Sequence, residues 1–210
     1  MNDRPSLSRR PGTALRLSAA LAFLAVGATA CVGGAGTGAD RGEGESPGPL
    51  IPPAQALQTL DSLLEQTTAG VQPALQYWDA WPQATVQYSK GLDEHSLGYA
   101  KASRQRHVKT KVAPGKYGAL LDAVRSTWQA KGYRVETGPA NLQALFATTP
   151  EGNGVSITIH PAGNIDIGAT VSPVPVPDGR DLFGTPTPDP VMANGNPDVV
   201  PTYEDPYWSA

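Results

Sequence analysis

A run of basic residues is the part of this 210-residue sequence whose residue types best suit binding chemistry. No acid occurs between positions 101 and 111, and the side chains that carry or accept a proton there are Lys101, Arg104, Arg106, His107, Lys109 and Lys111. Guanidinium groups match the paired oxygens of phosphate and carboxylate, and ammonium groups add charge. Arg104, Arg106, Lys109 and Lys111 are therefore candidate anion-binding residues.

The strand pattern of this run divides its side chains between two faces. The lysines and His107 share one face, as a solvated surface or as protection of a sheet edge. Arg104 and Arg106 are in phase with Ala100, Ala102 and Val108, so they should point toward the apolar side. Three interpretations are open: a β-bulge re-aims them, acids at the rim of the core pair with them, or they bind an external anion such as a lipid phosphate or wall polymer.

An aromatic cluster, Tyr77, Trp78 and Trp81 with Tyr88 beyond, precedes the basic run. Exposed on a platform, such rings would stack on the sugars of a cell-wall glycan. In a loop that crosses a sheet they would fill the core. Both interpretations are open.

The histidines lack the spacing of a metal site, so we predict no metal and no cofactor. His95 with Asp93, and His160 with Asp166 if a hairpin brings them together, are the conceivable catalytic pairs. Because the motifs of serine hydrolases, P-loops and dinucleotide-binding folds are missing, we predict that the protein is not an enzyme. An envelope hydrolase or transferase with an unrecognised site is the alternative.

The N-terminus has the pattern of an export signal. Residues 1–16 hold four arginines and one acid, residues 17–30 are uncharged, and Ala28-Thr29-Ala30 fits a signal-peptidase site. The apolar part is shorter than the roughly 20 residues that span a bilayer. The pair Arg9-Arg10 leaves open whether the twin-arginine or the general route is used.

Cys31, the single cysteine of the chain, follows this cleavage site directly. Either the cysteine is incidental, or it receives a diacylglycerol thioether, as in bacterial lipoproteins, which this region resembles. The position of a sole cysteine at the predicted cut favours lipidation, although Ala28 stands where leucine is usual. We therefore expect a chain anchored in the cell membrane through Cys31, on its extracytoplasmic side.

Composition bounds the remaining possibilities. Removing residues 1–30 changes the formal net charge from −3 to about −6. An acidic chain has no overall attraction to nucleic acid, so we predict no such partner. With Cys31 lipidated, the exported domain has no disulfide to stabilise it.

Glycine and proline define the domain map. Residues 1–30 are the signal peptide, and residues 31–53 form a flexible tether. Residues 54–172 form the folded domain. Residues 173–210 hold nine prolines and six acids, which predicts a disordered acidic tail with polyproline II segments. Tyr203, Tyr207 and Trp208 are its aromatic exception.

Periodicity predicts the elements of the domain. Leucines at helical spacing indicate a helix over 54–69, and a second amphipathic helix follows Pro114-Gly115 and ends at Gly132. Alternation indicates a strand over 97–112, one at 133–137, and an antiparallel meander over 142–149, 154–160 and 164–171. In that meander we expect Ile159 opposite Ile165 and Phe146 opposite Ile157.

The element order predicts an α+β fold: a two-layer sandwich with a curved antiparallel sheet of about four to five strands and two helices on one face. The run from Ala102 to Val171 resembles a set of small actinobacterial (Streptomyces-type) membrane lipoproteins. It shares their basic strand, the helix ending Lys131-Gly132-Tyr133, and the corner Phe146-Ala147-Thr148-Thr149-Pro150. The resemblance implies an envelope location and a βαβββ-like fold, and it brings no activity with it.

These observations predict a non-enzymatic cell-envelope lipoprotein that binds a protein, lipid or wall component at the outer face of the membrane. The sheet, the basic strand and the C-terminal tail are its candidate binding surfaces. A structural accessory without a ligand is the third hypothesis.

Overall fold

The computed structural model describes residues 48–89 and 94–210. The predicted signal peptide, Cys31 and residues 31–47 of the predicted tether lie outside this range, as does Asp93. In the described part of the chain, no helix has both the length and the apolar character needed to cross a bilayer.

Two helices form where the leucine pattern predicts them. Helix α1 runs Pro53–Thr68, with proline at its first position, and α2 runs Tyr117–Ala130 after a short 3-10 turn at Pro114–Lys116. Proline suits the first turn because that turn needs no backbone N–H donor. Gly132, with a φ of 75°, follows the C-terminal end of α2 in the left-handed region that glycine accepts at little cost.

The strands form one antiparallel sheet. They are β1 (Tyr77–Asp79), β2 (Gln83–Tyr88), β3 (Ser96–Val108), β4 (Arg134–Thr137), β5 (Gln143–Thr148), β6 (Gly154–Ile159) and β7 (Ile165–Val174). Their order is β1-β3-β7-β6-β5-β4, and β2 also pairs with β3. The α+β class and the antiparallel sheet are confirmed.

Within the described ranges the sheet has seven strands, so the predicted four to five were too few. The additional strands are β1 and β2, which pair with different parts of the 13-residue β3. Strand β1 has only three residues, too few to show a pattern. Strand β2 does alternate, since Ala84, Val86 and Tyr88 each follow a polar residue, and that signal was available in the sequence. The length of β3 provides their hydrogen-bonding partners, and a sequence pattern does not reveal that support.

The meander confirms one register and corrects the other. Ile159 lies opposite Ile165, as predicted. Leu145, rather than Phe146, lies opposite Ile157. A slip of one residue moves every side chain of a strand to the other face. Phe146 is accordingly 40% exposed, while Leu145 and Ala147 are buried.

Both helices pack on the sheet and contact one another. Helix α1 lies against β3 and β7, and α2 lies against β4 and β5. The buried side chains form one apolar cluster whose largest members are Trp128 and Trp208. The indole N–H of Trp128 donates to the Thr67 hydroxyl at 3.0 Å, which joins the two helices inside the core.

Residues 175–210 lie along the domain, where the sequence predicted a disordered tail. Trp208 belongs to the apolar cluster and is 1% exposed, and its indole N–H donates to Pro73 O at 2.7 Å. Backbone N–H groups of Lys111 and Ala113 donate to Tyr203 O and Trp208 O, each at 2.8 Å. Prolines prevent regular elements, but they leave carbonyl groups free to accept hydrogen bonds and allow one large ring to be buried.

Candidate functional site

Arg106 lies on the core side of β3, opposite Ile167 of β7, and is 1% exposed. Its guanidinium holds Asp79 in two hydrogen bonds of 2.6 and 2.8 Å, and also donates to Glu65 and Thr68 of α1. The ring of Tyr77 lies 3.6 Å from the guanidinium carbon. Burial acts to lower the pKa of Arg106, but the hydrogen bonds to Asp79 and Glu65 outweigh it and raise the pKa above its usual value.

Arg104 is likewise held by α1 and by the residue that follows β1. Its Nε donates to Ala80 O at 2.9 Å, and its guanidinium forms an ion pair with Asp61 of α1. Of the three interpretations of Arg104 and Arg106, the geometry therefore agrees with pairing to acids at the rim of the core. Asp61 and Glu65 were not predicted from the sequence as partners of these arginines. Their spacing of four residues, on a side of α1 away from its leucines, was the available signal.

The two candidate lysines contact the C-terminal tail. Lys109 Nζ lies 2.7 Å from Asp198, and Lys111 pairs with Glu204. All four candidate anion-binding residues thus meet carboxylates of this chain. An external anion would have to displace these carboxylates, so anion binding stays a prediction.

On the other face of the sheet, Asp166 bridges two histidines. His107 Nδ1 lies 2.7 Å from one carboxylate oxygen and His160 Nε2 lies 2.9 Å from the other. The hairpin between β6 and β7 thus brings His160 to Asp166, as considered from the sequence, and β3 adds His107.

His95 contacts Ser89, while its possible partner Asp93 lies outside the described residues. Groups of side chains suited to a metal ion are missing from the described ranges.

The environment of Asp166 lowers its pKa. Burial raises the pKa, but hydrogen bonding to His107 and the charges of both histidines outweigh burial. A carboxyl group whose pKa falls on folding stabilises the fold above its unfolded pKa of about 3.9. That contribution is lost as the pH falls through the lower, folded pKa.

We therefore expect Asp166→Asn to reduce the acid sensitivity of the fold. Between about pH 6 and about pH 3, the native protein should lose more unfolding free energy than the variant loses. Urea unfolding at both pH values measures this, with Asp122→Asn as the control because Asp122 is largely exposed. Equal losses in the native protein and in Asp166→Asn would contradict the bridging role.

The residues of the predicted aromatic cluster lie in different environments. Tyr77 packs on Arg106 and its hydroxyl lies 3.3 Å from Glu65. Trp78 packs on His107 with ring centroids 4.5 Å apart, and its indole N–H donates to Asp198 O at 2.8 Å. The indole N–H of Trp81 donates to Asp181 at 3.0 Å, while Tyr88 is half exposed on β2. Trp78 and Trp81 are thus fixed at their polar edges by the tail.

Trp78 and Trp81 line a cleft of about 350 Å³ at the β1 edge of the sheet. Asp79 and Arg104 contribute from the domain, and residues 187–190 of the tail form the rest of the lining. Asp189 also accepts a hydrogen bond of 3.1 Å from Trp81 N. The lining residues therefore include two tryptophans, two prolines, two aspartates and one arginine, residue types that can stack on a ring and hydrogen-bond its substituents. We refer to it as the tryptophan cleft.

Comparison with protein-family models gives no match, and comparisons with curated proteins and with solved structures give no significant similarity. The functional interpretation of this site therefore depends on its own geometry.

Proposed function

We propose that the protein is a non-enzymatic lipoprotein of the cell envelope whose domain binds a wall glycan in the tryptophan cleft. The observation that carries this proposal is the pairing of Trp78 and Trp81 with Asp79, Arg104 and Asp189 around one concave surface. Its volume of about 350 Å³ falls in the range of small-molecule sites.

Stacking supplies the main attraction in this proposal. The C–H faces of a sugar ring are apolar, so they pack on an indole as other apolar groups do. Trp78 and Trp81 are already held by hydrogen bonds to the tail, and Trp78 also packs on His107. Rings that are fixed before binding lose less conformational freedom when the ligand arrives.

The polar groups of the cleft supply orientation. The carboxylates of Asp79 and Asp189 accept hydrogen bonds from hydroxyl groups, and the Arg104 guanidinium donates. Each already has a partner in this chain, which fixes its position, and a carboxylate has further lone pairs to offer. A neutral, polyhydroxylated ring suits this balance better than a strongly charged ligand.

Replacing Trp81 with alanine should weaken glycan binding about tenfold or more, because a buried aromatic contact commonly contributes above 1.4 kcal/mol. Calorimetric titration of the full chain with a soluble oligomer of N-acetylglucosamine measures the change. Tyr88→Ala is the matched control, since Tyr88 is exposed and lies outside the cleft. If the native chain does not bind wall glycans in such titrations, the proposed ligand is wrong.

In this proposal the membrane anchor is a diacylglycerol group on Cys31, which keeps the domain on the extracytoplasmic side of the membrane. Support comes from the sole cysteine at the end of Ala28-Thr29-Ala30. We expect Cys31→Ser to release the protein from membranes into the medium, and fractionation followed by immunoblotting measures this. A neutral substitution in the tether, Ser46→Ala, should leave it bound. Retention of Cys31→Ser in the membrane fraction would refute lipid anchoring.

The contact between His160 and Asp166 favours a second candidate function, hydrolysis of an envelope component. A histidine oriented by a carboxylate is a common general base, and His160 is exposed. Release of reducing ends or acyl groups from wall material, abolished in His160→Ala with the fold intact, would support it. Neither His160 nor Asp166 lines the tryptophan cleft, so this activity would need a separate substrate site.

A further inference from the structure

Helix α1 presents a third side, distinct from its buried leucines and from the acids that hold Arg104 and Arg106. At about 100° per residue, the positions 55, 59, 62 and 66 fall in one stripe along the helix, with 58 at its border. This stripe lines a groove of about 690 Å³ and consists of Gln55, Gln58, Thr59, Ser62 and Gln66. We refer to it as the amide groove.

The charged residues of the groove lie outside α1. It includes Lys131 and Tyr133, just after α2, and the turn between β5 and β6 with Glu151 and Asn153. The apolar contribution comes chiefly from Ile51, because Leu63 and Val171 border the groove but are buried in the core. The groove therefore combines uncharged polar groups, an apolar component and one charge of each sign.

Hydrogen bonds within the protein fix one end of the stripe. The Tyr133 hydroxyl lies 3.0 Å from Gln66 Oε1, and Gln66 Nε2 donates to the Ser62 hydroxyl at 2.8 Å. Among the residues that the structure describes, the side-chain amides of Gln55 and Gln58 make no such bond. Each amide can donate and accept at once, as a peptide group does.

The length of the stripe sets the size of a ligand. From position 55 to 66 the helix rises about 16 Å, at about 1.5 Å per residue. An extended peptide advances about 3.3 Å per residue, so about five residues cover that length. Its backbone N–H and C=O groups would meet the glutamine amides, and a side chain on one of its faces would meet Ile51.

We propose that the amide groove binds the extended C-terminal end of a peptide, about five residues with uncharged side chains, chiefly through the peptide backbone. Lys131 binds the carboxyl terminus, because its ammonium is the cation in the lining. Tyr133 is partly buried against the core and its hydroxyl is bonded to Gln66, so the groove offers no open aromatic platform of the kind that sugars use. This site is separate from the tryptophan cleft and goes beyond the proposed glycan binding.

Titration of the full chain with penta-alanine, followed by amide NMR shifts and calorimetry, tests the proposal. We expect saturable shifts along α1, and about tenfold weaker binding in the double variant Gln55→Ala/Gln58→Ala, since two hydrogen bonds are lost. Alanine favours helix, so α1 should persist. Gln129→Ala, an exposed glutamine on α2, is the control and should bind as the native chain does.

Two further measurements make the proposal falsifiable. Amidated penta-alanine, which lacks the terminal carboxylate, should bind more weakly than penta-alanine to the native chain and equally to Lys131→Met. The double glutamine variant should keep glycan binding at the tryptophan cleft, so the two sites can fail independently. No saturable binding of penta-alanine, or its displacement from α1 by an N-acetylglucosamine oligomer, would overturn the peptide assignment.

Discussion

Trp208→Ala should lower the unfolding free energy of the domain by about 3–5 kcal/mol, the usual cost of removing a fully buried tryptophan ring. Trp208 is 1% exposed, its ring packs in the apolar cluster, and its indole N–H donates to Pro73 O. The substitution leaves a cavity and an unpaired carbonyl group. For a domain of this size, denaturant unfolding followed by circular dichroism should resolve the change.

Tyr203→Ala is the matched control for Trp208→Ala. Tyr203 lies in the same tail and is aromatic, but it is 47% exposed, so its loss should change stability by less than about 0.5 kcal/mol. A tail that is disordered in solution predicts instead that both substitutions are silent. Equal stability of Trp208→Ala and the native chain would therefore contradict the packed tail.

Arg106→Met should destabilise the domain by about 3–5 kcal/mol, because breaking a buried ion pair leaves its partner unpaired. The group left behind is Asp79, which is mostly buried and receives two hydrogen bonds from the guanidinium. Glu65 is largely exposed, so its share is small. Methionine fills much of the arginine stem's volume, which keeps a packing defect from dominating. Thermal and urea unfolding measure the loss.

Two variants separate the charge effect from lost packing in Arg106→Met. Arg125→Met removes a guanidinium that pairs with Asp122 on the exposed side of α2, and should cost less than about 1 kcal/mol. Arg106→Met/Asp79→Leu removes both partners of the buried pair, and should be more stable than Arg106→Met alone. If the double variant is less stable than the single one, the unpaired carboxylate is not the cause.

The tail connects stability with the proposed function. Residues 187–190 form part of the tryptophan cleft, and the tail is fixed to the domain at Asp198, Tyr203 and Trp208. Because the same segment completes the cleft and closes the core, loss of the Trp208 anchor should also weaken glycan binding.

Elements with a local cause were predictable from the sequence. Helices α1 and α2 follow from leucine spacing and from the flanking prolines and glycines, since amphipathic periodicity is a property of neighbouring residues. The β6–β7 hairpin follows from alternation and a short turn, and its register was confirmed at Ile159 and Ile165. The register of Phe146 was wrong because the five-residue connection between β5 and β6 allows either parity.

Partners that are distant along the chain were beyond the reach of local patterns. Arg104 and Arg106 could be placed on the apolar side by parity, but their acids, Asp61, Glu65 and Asp79, come from two other elements. The strands β1 and β2 form because β3 is long enough to pair with both. The arginine–acid contacts and the pairing of β1 with β3 join residues about 27 or more positions apart, so no short window of sequence contains them. The pairing of β2 with β3 is more local, because its partners lie about 8 to 20 positions apart.

By itself the sequence determined the two helices, the α+β class, the position of the basic residues and the phase of the two arginines, all of which depend on residue type and short spacing. Cys31 and its preceding residues likewise predict the anchor from sequence alone. Only the tertiary structure decided that the arginines meet acids, that Asp166 joins two histidines, and that the proline-rich tail is packed. Burial and ion pairing are free-energy differences between a chain in water and one surrounded by its own distant residues, and those neighbours exist only in the fold.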